Sequence, residues 1–215
     1  MSDKLIKIIQ ECEKLCNQGL FMQVMPLLKD VTMNDIFGGR NVLPNSKTFP
    51  NLENWYYIKV RTSQISDSCC FGFKKKNTDF PLHDHKGMHG FMKIINGTIK
   101  VTSYTFPNQE TMKKYGLVAD DDDIPVIYEG ETILSCNDDT KDTVVYLGPR
   151  VGNVHTIKSL EDNSLFFDFL VPGYINCDSQ YFKLKNKEKS VKKGDIIYLT
   201  KIPRPGDFVM SGFTL

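Results

Sequence analysis

The chain has 215 residues, with 27 basic and 26 acidic side chains and a formal net charge of +1. This balance excludes a general electrostatic affinity for nucleic acid or an anionic membrane, and no apolar run approaches the ~18 residues of a membrane span. The first residues lack the profile of a signal peptide, so we expect a cytoplasmic protein with possible access to the nucleus. The charge-rich sequence shows no apolar seam, which favours a monomer.

The first 40 residues predict helices. Apolar side chains recur at helical spacing, and the predicted helical segments span 3–18, 22–29 and 32–37. We expect residues 1–40 to form a helical extension packed on a domain of residues 41–215. The six cysteines do not form the framework of a secreted domain, so we expect reduced thiols. Cys12 and Cys16 lie at i, i+4 on the first helix and are predicted to be buried apolar thiols.

From about residue 55 the sequence changes to strand patterns. Predicted strands span 55–60, 68–73, 91–95, 98–104, 144–147, 154–157, 165–171 and 196–199, and a further strand carries His83 and His85. Many short strands separated by turn residues indicate a closed or nearly closed all-β barrel. Asn96-Gly97 lies between two of these strands and predicts a tight hairpin turn.

Two charged stretches interrupt the strand pattern. Asp120 to Asp123 is an acidic run that attracts a cationic peptide or amine in one interpretation and forms a solvated loop in the simpler one. The lysine-rich run from Lys183 to Lys193 ends at a Gly-Asp turn signal and predicts an exposed hairpin.

Histidines are concentrated in one stretch. Three of the four fall within residues 83–89, and the fourth, His155, follows a loop marked by proline and glycine. In an extended strand alternate side chains share a face, so His83 and His85 point to one side and Asp84 to the other. A pair held on a sheet together with a distant third histidine predicts a metal site, with a structural histidine cluster or a closed zinc site as alternatives. Imidazole nitrogen suits iron, zinc, copper, nickel or manganese, so the ligands do not name the metal.

The stretch Pro81-Leu82-His83-Asp84-His85-Lys86-Gly87-Met88-His89-Gly90 resembles the first signature of the cupin barrels, with Gly90 where a glutamate ligand usually stands. Residues 149–155 resemble the second signature, with one additional residue between proline and glycine. Three imidazoles without a carboxylate resemble the ligand set of the thiol dioxygenases among the cupins, and residues 81–90 are very similar to the family of cysteamine dioxygenase and the plant cysteine oxidases. The resemblance implies a cupin barrel of the jelly-roll type, with Fe(II) bound by His83, His85 and His155. Since the spacing of His89 does not make it a ligand, we expect a supporting or surface role there.

The resemblance extends to the segment from Asp168 to Tyr174, which matches the family pattern Asp-x-Leu-x-Pro-x-Tyr residue by residue. It implies that Asp168 lies near the substrate and orients its amine, and that Tyr174 lines the pocket. A buried aspartate needs a cation, hydrogen-bond donors or water, and Arg150 is a structural alternative as the partner of Asp168. Members of the family can form a Cys-Tyr crosslink, but the spacing of Cys177 and Tyr181 differs from the family pattern, so we do not expect one.

Together the residues and the resemblance predict an Fe(II)-dependent thiol dioxygenase. It would convert an aminothiol, either cysteamine or the N-terminal cysteine of a peptide or protein, to the sulfinic acid with O₂. The family implies a role as an oxygen sensor that marks proteins for degradation. One alternative is a free-cysteine dioxygenase, for which Arg61 and Arg150 are candidates to bind the substrate carboxylate. Another is a metal-binding cupin without catalysis.

Overall fold

The computed structural model describes residues 1–39, 43, 51–120, 123–137, 143–174, 178–185 and 190–214. The predicted boundary between residues 40 and 41 lies outside these residues, so the division into an extension and a domain stays a prediction. Within the described ranges, no helix has the length and apolar character that crossing a membrane requires.

Four helices are described, and the three N-terminal ones follow the predicted segments. They are α1 (Asp3–Asn17), α2 (Val24–Lys29), preceded by a 3₁₀ turn over Phe21–Gln23, α3 (Met33–Phe37) and α4 (Gln109–Lys114). The Ser2 side chain accepts a hydrogen bond from the Leu5 N–H at 3.1 Å, which caps α1. Cys12 and Cys16 are 0% and 6% exposed, which confirms the prediction of buried thiols.

Twelve strands are described. They are β1 (Trp55–Thr62), β2 (Asp67–Phe73), β3 (Asp79–His83), β4 (His89–Asn96), β5 (Thr98–Thr105), β6 (Ile124–Ser135), β7 (Val144–Leu147), β8 (Val154–Ser159), β9 (Leu165–Val171), β10 (Tyr181–Leu184), β11 (Ile196–Ile202) and β12 (Met210–Thr214). One sheet has the order β12-β1-β2-β9-β4-β7. The other has the order β10-β11-β6-β5-β8-β3 and closes where Tyr181 of β10 pairs with His83 of β3.

The two sheets pack their apolar faces together. The core between them contains Phe73, Met92, Ile94 and Phe166 from the first sheet and Phe80, Ile99, Val101, Leu134 and Ile157 from the second. This arrangement confirms the predicted all-β cupin fold. Both sheets direct alternate side chains into this space, which places the predicted ligands His83 and His155 inside the barrel.

The N-terminal helices cover the outer face of the first sheet. Leu5 and Ile9 of α1 and Leu28 of α2 are fully buried in one cluster with Phe91 and Phe169 of the sheet. Because β9 has helices on one side and the barrel core on the other, all seven of its residues are buried. Asp168 is therefore a carboxyl within the most buried strand of the fold.

The predicted hairpin at Asn96-Gly97 is wrong. β4 pairs with β7 and β9, whereas β5 pairs with β6 and β8 in the other sheet. Gly97 has a φ of 73°, and a Cβ on it would lie 2.7 Å from the Ser164 hydroxyl oxygen, so glycine allows the chain to pass closely from one sheet to the other. β4 is buried at its six central residues, and burial on both faces determines its partners more strongly than the local turn signal.

The two charged stretches lie at the surface where they are described. Asp120 is exposed, its carboxylate accepts a hydrogen bond from the Asp123 N–H at 2.8 Å, and Asp123 forms an ion pair with Lys185. Asp121 and Asp122 lie outside the described residues. β10 and β11 pair antiparallel, as an exposed hairpin requires, and residues 186–189 of the lysine run are also outside the described part.

Candidate metal centre

Three histidines converge inside the barrel. His83 is the last residue of β3, His155 pairs with it from the neighbouring strand β8, and His85 follows two residues beyond the end of β3. They are 5%, 1% and 7% exposed, respectively. One ligand atom from each lies within 4.8 Å of the others, and the Nε2 atoms of His83 and His85 are 3.2 Å apart. The structure thus brings together the three predicted ligands.

His85 is not held on the sheet, contrary to the sequence prediction. The side chain of Asn153 holds its backbone instead: the amide oxygen accepts from the His85 N–H at 3.1 Å, and the amide nitrogen donates to the His85 carbonyl at 2.9 Å. The predicted alternation of faces is nevertheless present. The carboxylate of Asp84 accepts from the Gln180 N–H at 2.9 Å and does not line the cavity of the three histidines.

Backbone carbonyls orient two of the three imidazoles. Nδ1 of His83 lies 2.7 Å from the Pro81 carbonyl oxygen, and Nδ1 of His155 lies 3.0 Å from the Asn153 carbonyl oxygen. A carbonyl oxygen only accepts hydrogen bonds, so both Nδ1 atoms must carry the proton. Each Nε2 then presents a lone pair to the centre of the cluster, which is the arrangement of metal-ligating histidines with their outer hydrogen bonds.

A tyrosine hydroxyl orients the third imidazole. Tyr174 Oη lies 2.5 Å from Nδ1 of His85 and 2.9 Å from the Ser179 hydroxyl oxygen. The Tyr174 N–H donates to the Asp67 carboxylate at 2.6 Å, and a Cβ at Gly173 would collide with that aspartate, so glycine permits the close approach. Tyr174 lines the cavity of the three histidines, and its hydroxyl contacts a candidate ligand.

Burial keeps the three imidazoles neutral. Desolvation lowers the pKa of His83 to about 4 and that of His155 to about 3. The pKa of His85 falls well below its usual value, through desolvation first and the two neighbouring histidines second. Neutral imidazoles with converging Nε2 atoms suit a divalent transition-metal ion, and the donor set therefore fits the metal centre that the sequence predicts.

The histidines lie on the wall of a cavity of about 550 Å³. Apolar side chains, among them Phe80, Met92 and Phe166, form one part of the lining. Polar groups, including Asp168 and Tyr174, form another part. The cavity therefore has room for a small polar molecule next to the metal centre.

Asp168 is the most perturbed carboxyl of this cavity. It is 5% exposed, and desolvation raises its pKa to about 7 despite the opposing effect of the Phe169 N–H. Among the described residues no side chain forms a hydrogen bond or ion pair with it, and Arg150 is exposed on a turn. Within the described ranges the carboxyl is thus buried without a cationic partner, an arrangement that suits a cation bound from solvent.

Sequence reasoning missed three residues around the site. Asn153 lies in the stretch that resembles the second cupin signature and Ser179 lies in no motif, and the fold alone shows their hydrogen bonds to His85 and Tyr174. Arg204 lines the cavity, whereas Arg61 and Arg150, which the sequence suggested as substrate-binding cations, are not part of its described lining. The proline-flanked position of Arg204 was visible in the sequence, but only the fold brings it next to the histidines.

His89 belongs to a different contact. Its ring stacks on Phe21 at a centroid distance of 3.6 Å, and its Nδ1 lies 2.7 Å from the Tyr146 hydroxyl oxygen. It therefore joins the N-terminal segment to the outside of the first sheet. Cys177, part of the crosslink that we did not expect, lies outside the described residues, so that prediction stays untested.

Known proteins resemble this chain over most of its length. The PCO_ADO family profile matches residues 51–214. The "Probable 2-aminoethanethiol dioxygenase" of Dictyostelium discoideum is 30% identical over 139 residues, which cover 64% of this chain and 57% of that protein. The "2-aminoethanethiol dioxygenase" of Homo sapiens is 25% identical over 195 residues, which cover 80% of this chain and 72% of that protein. The match thus spans less than two thirds of the Dictyostelium relative.

The solved structures that match this chain are more distant in sequence. KdgF from Halomonas sp. is 14% identical with a TM-score of 0.37, and covers 55% of this chain and 79% of its own. An RmlC-like cupin protein from Desulfovibrio desulfuricans is 13% identical with a TM-score of 0.34, and covers 56% of this chain and 84% of its own.

Proposed function

The chain belongs to the PCO_ADO family, and on this premise we propose that it is an iron-dependent thiol dioxygenase acting on an aminothiol. One observation carries the proposal: three inward-facing neutral imidazoles share one cavity with a buried carboxyl that has no side-chain partner among the described residues. The imidazoles suit a metal, and the carboxyl suits the ammonium group of a substrate. An aminothiol has both the thiol and the amine that such a cavity selects.

The reaction is R–SH + O₂ → R–SO₂⁻ + H⁺. Both oxygen atoms enter the product, and sulfur supplies the four electrons that reduce O₂, so no further reductant is needed. A ferrous ion bound by the three imidazoles would supply the activation of O₂ and the acidification of the thiol. The protein contributes the orientation of the ligands, through Pro81, Asn153 and Tyr174, and a cavity in which the three histidines are buried.

Asp168 positions the amine. An ammonium group at hydrogen-bond distance favours the charged form of the carboxyl and lowers its pKa from about 7, so binding ionises Asp168 and holds the amine. The amine and the thiol of an aminothiol are two carbons apart. Since Asp168 and the three histidines line one cavity, an amine held at Asp168 keeps the thiol in the cavity of the histidines, which is catalysis by orientation.

The substrate class includes cysteamine and peptides that begin with cysteine. The curated relatives are named for 2-aminoethanethiol, which is cysteamine. An N-terminal cysteine carries the same aminothiol, and a cavity open to the surface admits the rest of a peptide. Oxidation of N-terminal cysteines would link O₂ to protein turnover in the cytoplasm, in keeping with the function that the sequence predicts.

The test is reconstitution with Fe(II) under nitrogen, followed by air and a peptide that begins with cysteine, with cysteamine and free cysteine in parallel. We expect the peptide to gain about 32 Da, the mass of two oxygen atoms. His155→Ala should abolish the gain, and Asp168→Asn should reduce it strongly while retaining iron. An iron-loaded protein that leaves all three thiols unchanged would contradict the proposal and leave a non-catalytic metal-binding cupin.

A further inference from the structure

Arg204 occupies a fixed position at the exposed side of the cavity. It lies in the connection between β11 and β12, between Pro203 and Pro205, and a proline on each side restricts its backbone. Two hydrogen bonds within this connection hold it together. The Phe208 N–H donates to the Pro205 carbonyl at 3.1 Å, and Arg204 Nη2 donates to the Phe208 carbonyl at 3.1 Å. The guanidinium is therefore held by its own loop.

A series of aromatic contacts connects this loop to the metal centre. The guanidinium carbon of Arg204 lies 5.2 Å from the ring centroid of Phe208, which is 3% exposed. The Phe208 ring packs on Phe80 at 4.7 Å, and Phe80 packs on His83 at 5.6 Å. These contacts place the guanidinium on the wall of the same cavity as the histidines, with the ring of Phe208 as its support.

Most donors of this guanidinium are available. Arginine has five N–H donors, and one nitrogen of Arg204 bonds to Phe208. No carboxylate within the described ranges forms an ion pair with Arg204 at 4.0 Å or less. The cavity thus has a buried carboxyl, Asp168, and an exposed guanidinium, Arg204, both in its lining. This arrangement suits a molecule whose amine binds at the buried carboxyl and whose hydrogen-bond acceptors lie nearer the surface, at the guanidinium.

A peptide that begins with cysteine has this arrangement, and cysteamine has no carbonyl group. We propose that Arg204 is a specificity residue that donates hydrogen bonds to the main-chain carbonyl oxygens following the N-terminal cysteine, so that the site selects peptides over cysteamine. This inference rests on the proposed function, because it assumes that the thiol binds at the metal centre. A charged donor makes the stronger hydrogen bonds and also orients a planar acceptor.

The test compares the peptide Cys-Gly-Gly amide with cysteamine. The glycines have no side chains, so the peptide differs from cysteamine only by its main chain. We expect Arg204→Gln to reduce kcat/KM for the peptide at least about tenfold more than kcat/KM for cysteamine, mainly through KM. Arg204→Lys keeps the charge but not the planar donors, so its ratio of kcat/KM for the peptide to kcat/KM for cysteamine should lie between those of the wild type and Arg204→Gln. Arg150→Gln removes an exposed arginine outside the described cavity lining, so it should not alter the ratio of kcat/KM for the peptide to kcat/KM for cysteamine.

Equilibrium binding separates this inference from the proposed function. Calorimetry of the iron-loaded protein under nitrogen measures affinity for the peptide where no turnover occurs, and the same weakening of about tenfold is expected for Arg204→Gln. If peptide binding depends on Arg204 but no sulfinate forms, the proposed dioxygenase activity is contradicted and the role of Arg204 in peptide binding is supported. Sulfinate formation with equal effects on both substrates, or with none on either, would refute the role of Arg204 and leave the dioxygenase intact.

Discussion

Removing the Tyr174 hydroxyl should weaken metal binding although tyrosine is not a ligand. The hydroxyl oxygen lies 2.5 Å from Nδ1 of His85, whose residue is 7% exposed. Tyr174→Phe leaves that nitrogen without its partner, and an unmade hydrogen bond at a buried group costs about 1–3 kcal/mol. Loss of the outer partner of a ligating histidine typically reduces metal affinity about 10–100-fold. We therefore expect the dissociation constant for Fe(II) to rise by about that factor.

Competition with a chelator of known affinity under nitrogen measures the change. Tyr181→Phe is a matched control, because Tyr181 lines the same cavity and its ring lies 6.2 Å from the His83 ring. Ser179→Ala removes only the outer hydrogen bond of Tyr174 and should weaken binding less than about threefold. An unchanged affinity in Tyr174→Phe, or an equal loss in Tyr181→Phe, would refute the reasoning that Tyr174 orients His85.

Three further changes test other parts of the account. The pKa of Asp168 is raised from 3.8 to about 7, so its contribution to stability is present below pH 3.8 and is lost as the pH rises to about 7. In urea unfolding of the metal-free protein, the free energy of unfolding of Asp168→Asn should therefore rise relative to that of the wild type between pH 4 and 8, by at most about 4 kcal/mol. A difference between the two proteins that does not depend on pH would contradict this. The lowered pKa values of His83 and His155 have the opposite sign, so acidification from pH 6.5 toward 3 should destabilise the metal-free wild type, with a shallower pH dependence in His83→Asn. Asn153→Ala removes both hydrogen bonds to the His85 backbone and should lower the free energy of unfolding by about 2–3 kcal/mol in urea titrations, and a loss below about 0.5 kcal/mol would show that they contribute little.

Much of the fold and of the candidate site was predictable because local signals agreed with burial. The helix over Asp3–Asn17 and the strand Leu165–Val171 have strong apolar patterns, and both occur within one residue of the predicted bounds. The convergence of His83 and His85 was predictable because alternation in an extended segment places both on one side. Their third partner, His155, follows a recognisable loop.

The remaining features depend on contacts that sequence patterns do not contain. Strand β6 was missed because it is interrupted: Gly130 has a φ of 106° and lies beside a register shift against Ser103 and Tyr104. The turn signal at Asn96-Gly97 was present, but the partners of β4 are set by its two buried faces. Arg204 lies 121 residues after His83 in the sequence, and only the fold brings it to the same cavity.

The most direct test of the central claim is the isotopic composition of the product. The iron-loaded protein is given a peptide that begins with cysteine in an equal mixture of ¹⁶O₂ and ¹⁸O₂, and the product is read by mass spectrometry. A dioxygenase transfers both atoms of one O₂ molecule, so the sulfinate should appear at gains of about 32 and about 36 Da, without a species at about 34 Da. A dominant gain of about 34 Da, or no sulfinate at all, would contradict the assignment of this cavity as a thiol dioxygenase site.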